Sequence, residues 1–170
     1  MRRIFFAVAA GLLAFSGLAW GDGAGNANGC RLEGTFVKFN SSGDPVWTAS
    51  YIPLTEASGM TDGAFVGFDL TLGGMYPDAV RDTGLKGTWI RTGRNSYAVT
   101  LLSIAADAKG APQYSVKFTG TYTLLDACSR LHIKLTAGLY PLGTNPLIDA
   151  PSGTFPVDEF AYVLNAPSKK

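Results

Sequence analysis

The sequence predicts an all-β protein: a single antiparallel up-and-down barrel of about eight strands, with a two-sheet β-sandwich as the alternative. Three observations carry this reading. Residues 113–124 alternate apolar and polar side chains with a period of two, which no amphipathic helix does. Short Gly/Asn/Asp turns separate further segments of the same kind. Helical periodicity is scarce, with room for about one turn between Pro77 and Leu85. Consecutive antiparallel strands favour closure, because closure removes exposed edges.

The chain begins with an address. Arg2 and Arg3 precede an uncharged apolar run from Ile4 to Trp20, and Ala19 and Gly21 place small residues at the −3 and −1 positions before Asp22. This is the pattern of a secretory signal peptide over residues 1–21. The run is near the lower limit for a membrane span and carries Gly11 and Gly17, which argues against a permanent anchor. Cys30 follows the polar stretch Asp22–Gly29 rather than the apolar run, which argues against a lipoprotein. The expectation is therefore a secreted or periplasmic protein with no membrane contact after cleavage. Its barrel domain spans 22–165, and 166–170 form a frayed tail.

Loss of Arg2 and Arg3 takes the 14 basic residues to 12, against 13 acidic ones. This balance excludes a strongly basic nucleic-acid binder and an acidic disordered chain. No field steers the mature protein to DNA or an anionic membrane.

The first expected strands are Arg31–Phe39 and Val46–Ile52, separated by the strong turn Ser41-Ser42-Gly43-Asp44-Pro45. Ala64–Leu72 follows. Gly87–Thr92 and Ser96–Ala105 form a hairpin across Gly93-Arg94-Asn95. Asp107-Ala108-Lys109-Gly110 turns the chain into the clearest strand, whose face Tyr114, Val116, Phe118, Gly120, Tyr122 and Leu124 is apolar. Leu131, Ile133, Leu135 and Ala137 repeat the pattern after a turn at Asp126. Four prolines punctuate Tyr140–Pro156, which reads as a loop over the surface or across one end. A short last strand runs from Asp158 to Leu164.

The two cysteines both fall in the exported part of the chain. An even count in an oxidising compartment reads as a disulfide, Cys30–Cys128. A catalytic pair of Cys128 with His132 would leave Cys30 as a spare thiol, so no catalytic residue is assigned. His132 alternates with Arg130 and Lys134 and reads as a surface histidine. No metal site and no cofactor are expected. Most carboxylates (Asp44, Asp62, Asp78, Asp82, Asp107, Asp126, Asp149) read as turn residues. Asp69, inside an expected strand, reads as outward-facing. Asn40-Ser41-Ser42 is a glycosylation sequon, relevant only in a eukaryotic secretory host.

The run Gly87-Thr88-Trp89-Ile90-Arg91-Thr92-Gly93, with Tyr97, Thr100, Asp107 and Gly110 after it, resembles small secreted barrels of calycin or lipocalin-like type. The likeness covers about a third of the chain. Lipocalins carry Gly-x-Trp on their first strand, whereas Trp89 falls near the fourth. The resemblance implies a barrel and supplies no active site.

A closed eight-stranded barrel either fills its interior or encloses one small ligand. Trp89, Arg91, Tyr97, Tyr114, Phe118 and Tyr122 are the candidate ligand-binding residues, as an aromatic wall with hydroxyls at its rim. Arg91 would pair with a ligand carboxylate or stack on Trp89. The first functional expectation is thus a module that binds a small apolar ligand. The second is a structural or interaction protein with a filled core, meeting a partner chain through Tyr140–Pro156. The third is an enzyme that shapes a reactive substrate inside a barrel, as in allene oxide cyclase-like and dirigent-like barrels.

Overall fold

The computed structural model describes residues 29–65 and 69–164. The expected signal peptide and C-terminal tail lie outside the described residues. Nine strands follow in order: β1 (Gly34–Phe39), β2 (Pro45–Pro53), β3 (Ser58–Phe65), β4 (Arg81–Asp82), β5 (Leu85–Arg91), β6 (Ser96–Ala106), β7 (Pro112–Leu125), β8 (Arg130–Pro141) and β9 (Gly153–Val163). Eight of them pair antiparallel in the cycle β1-β2-β3-β5-β6-β7-β8-β9 and back to β1. The fold is a closed barrel, not a sandwich. The short β4 pairs with β6 beyond the end of β5. Asp82 opposes Ala105 and Lys86 opposes Leu102, so the β4–β5 line carries one extra residue, a bulge at Thr83-Gly84. Gly84 is required there: its φ is +69°, and a Cβ would lie 2.1 Å from the Gly63 carbonyl oxygen.

Four sequence expectations need correction. The third strand is not Ala64–Leu72; it starts at Ser58 and ends at Phe65. Between Pro77 and Leu85 no helix forms: a single hydrogen-bonded turn closes from Tyr76 to Ala79, and from Val80 the chain pairs along β6. Asp62 is not in a turn: it lies on β3, ion-paired with Lys86. The loop Tyr140–Pro156 shrinks to 142–152, because β8 runs on to Pro141 and β9 begins at Gly153. That loop lies on the outer wall, where the Lys117 ammonium donates to the Pro146 carbonyl at 2.7 Å and Gly138 approaches Pro151.

The two-residue rhythm fixes which side chains enter the barrel. Directly opposed residues share a face, so Tyr97 and Tyr122, Leu101 and Phe118, and Leu124 and Leu131 all point inward. Thr119, Thr121, Lys134 and Thr136 point outward and are exposed. Apolar side chains inside and polar ones outside on β7 and β8 reverse the pattern of a lipid-facing barrel.

One end of the barrel is solid. Tyr51 meets Phe36 and Tyr122 edge-on, at 5.5 and 5.7 Å between ring centroids, and Trp89 meets Tyr97 likewise at 5.3 Å. Room for the indole comes from Gly59 on the neighbouring strand, where a Cβ would lie 2.3 Å from the Trp89 ring. The segment Gly29–Glu33 crosses this end as a plug. Leu32 is fully buried, and Cys30 is bonded to Cys128 in the β7–β8 turn, 98 residues along the chain. The expected disulfide is thus present, and it ties the plug to the barrel wall.

Candidate functional site

The opposite end of the barrel is hollow. A cavity of about 580 Å³ occupies the open half of the lumen. Its inner wall is apolar: Trp47 from β2, Leu101 from β6, Val116 and Phe118 from β7, and Leu135 from β8. Each reaches the lumen because its register position is in phase with the inward residues of the solid half. The packed rings of Tyr51, Trp89, Tyr97 and Tyr122 set the floor.

A loop from Asp69 to Val80 bends over the mouth and contributes Leu70 and Leu72 to the lining. Asp69 shapes this loop. One carboxylate oxygen accepts the Thr71 amide at 2.9 Å and the Thr71 hydroxyl at 2.6 Å; the other accepts the Gly73 amide at 2.9 Å. These bonds, the Thr71 hydroxyl first, hold the Asp69 carboxyl below its ordinary pKa. Asp69 is therefore a turn former, not the strand residue its sequence position suggested. Tyr114 fastens the loop to β7: its hydroxyl donates to the Leu70 carbonyl at 2.8 Å, and its ring packs against Tyr76 at 4.5 Å. Burial, with help from the charges of Asp69 and Asp82, pushes the Tyr114 phenol up to about 12.

Of the polar residues that line this cavity, Ser103, Lys38 and Glu159 sit at inward-facing strand positions. Ser103, on β6 and 6% exposed, points inward opposite Val116. Lys38 and Glu159 form an ion pair on the other wall. Lys38 shares the inward face with Trp47, and Glu159 shares it with Ile133. Both belong to the joint that closes the barrel. There β1 and β9 pair at Phe36–Val163 and Val37–Tyr162, next to the solid end. Toward the open end β9 stays on β8 down to Gly153, while β1 turns away into Asn40. The Lys38–Glu159 pair bridges the gap where the ladder stops. Pro156, which has no amide hydrogen to give, sits on this free edge of β9.

Of the six candidate binding residues, Tyr114, Phe118 and Tyr122 line the cavity. Trp89 and Tyr97 are packed into the solid half. Arg91 lies at that same end, where its guanidinium donates to the Gly93 carbonyl at 3.1 Å and the Arg94 carbonyl at 2.5 Å. His132 is on the outer wall, with Nε2 2.7 Å from an Asp158 carboxylate oxygen and its ring stacked on Phe160 at 4.7 Å. That bond is the main cause of the lowered pKa of Asp158. Sequence reasoning missed Lys38, Ser103 and Glu159. The signal for Lys38 was its phase: it follows Gly34 and Phe36 at intervals of two. Comparison with protein-family models, with curated proteins and with solved structures returns no match to this chain.

Proposed function

We propose that this protein is an exported, calycin-like binding barrel that holds a small, largely apolar molecule in the open half of its lumen. The observation that carries this reading is the cavity of about 580 Å³, walled by Trp47, Leu101, Val116, Phe118 and Leu135. Its size is within the roughly 300–1,000 Å³ typical of small-molecule sites, and its make-up is of the same kind, an apolar wall with a few polar groups. The Cys30–Cys128 bridge supports export, since disulfides persist in oxidising compartments.

The test is a fluorescence titration of the full chain with N-phenyl-1-naphthylamine, a neutral apolar probe. Saturable binding is expected, with energy transfer from Trp47. Ser103→Phe, which places a ring in the lumen, should abolish it. Absence of binding, or binding that Ser103→Phe leaves untouched, contradicts the proposal.

A second reading has one observation in its favour. Leu147 and Ile148 stand 77% and 81% exposed at the tip of the 142–152 loop, which Asn145 and Asp149 hold in shape by mutual hydrogen bonds. Exposed apolar residues on an ordered loop suit contact with another chain. Replacing both by serine and retaining every partner in a pull-down would oppose that reading.

A further inference from the structure

Resting on the lumen-binding proposal, we infer that the occupant is an amphiphile with a carboxylate head, and that Lys38 receives that head by exchanging Glu159 for it. Among the described residues lining the cavity, Lys38 is the one cation. Its side chain points into the lumen, and it is the more buried member of its ion pair, 21% exposed against 31% for Glu159. Glu159 stands on the free edge of β9, where the β1–β9 ladder has already ended. It is therefore the partner able to turn out into water. An incoming carboxylate replaces like with like, so Lys38 is never left as an unpaired charge against an apolar wall. Glu159 regains hydration as it leaves, and burial of the ligand's tail against Trp47, Val116 and Leu135 supplies the favourable free energy. Ser103 faces the lumen from the wall opposite Lys38, so polarity is available at the far side too.

Calorimetric titration of the full chain with decanoate and with decanol at pH 7, both below self-association, tests the inference. Decanoate should bind wild type, and Lys38→Met should weaken it by roughly fivefold. Glu159→Gln should strengthen it by a similar factor, because the competing carboxylate is gone. A misfolded variant cannot produce that gain. Decanol affinity should be the same in all three proteins. If decanol binds but neither substitution changes the affinity for decanoate, the head-group inference is overturned and the lumen reading stands. If neither molecule binds, the lumen reading falls and takes this inference with it.

Discussion

The buried hydroxyl of Tyr97 donates to the carbonyl of Cys30, so the plug across the solid end is fastened to the barrel by a side chain as well as by a disulfide. The same oxygen accepts the Leu32 amide at 3.1 Å, and the Cys30 amide donates to the Asn95 side chain at 2.9 Å. An irregular segment buried in this way needs such partners for its backbone.

Tyr97→Phe removes both bonds and leaves the Leu32 amide and Cys30 carbonyl without this partner. We expect a loss of about 1–3 kcal/mol in urea unfolding, with far-UV circular dichroism unchanged. An unaltered midpoint would show that the plug is held without this hydroxyl.

Reduction of Cys30–Cys128 should cost more. The bridge closes a loop that holds β1 to β7, and chain entropy assigns a loop of this length about 4–5 kcal/mol as an upper figure. Urea unfolding with and without dithiothreitol reads the difference. The plug should loosen first, seen as faster amide exchange at Leu32 than in the β7–β8 hairpin.

Ala127→Gly should act in the opposite direction. Asp126, Ala127 and Cys128 have φ of 49°, 50° and 75°, a left-handed turn made without glycine. Relief at the exposed Ala127 should raise stability by about 0.5–1 kcal/mol, read from the thermal midpoint. A decrease would mean that the turn is not strained at this position.

Alkaline titration reports on the aromatic floor and on Tyr114 beneath the mouth loop. Burial raises the phenols of Tyr51, Tyr97, Tyr114 and Tyr122, with Tyr114 and Tyr122 at about 12. The neutral phenol is the form the fold keeps. The stability it contributes is complete below the unfolded value near 10 and is lost as pH rises toward 12. Absorbance at 295 nm near pH 11 should therefore show these four lagging behind an unfolded control. Full ionisation at pH 11 in a folded sample would contradict the packed floor.

The strands whose faces differ sharply were legible in the sequence. The alternation at 113–124 places β7 to within a residue at each end, and Arg130–Ala137 locates β8. The third strand was not. Apolar residues at 64–72 resemble a continuation, but Asp69, Thr71 and Gly73-Gly74 carry turn chemistry, and both glycines have positive φ. Signals for turn and strand overlapped there, and hydrogen bonding by the Asp69 carboxylate decided the outcome. Of the site, the aromatics on β7 were readable because their strand was. The meeting of Lys38 with Glu159 was not, because it depends on which strand closes the barrel onto β1. A single sequence holds no local signal for that pairing, and a lysine on an inward face runs against the hydrophobic pattern.

The most direct test of a hollow lumen is a crystal structure determined under xenon pressure, since dry apolar cavities take up xenon. Xenon is expected between Leu101, Val116 and Leu135 in the open half, and none among Tyr51, Trp89 and Tyr97. Side chains collapsed across the open half, with no xenon inside the barrel, would contradict a hollow lumen.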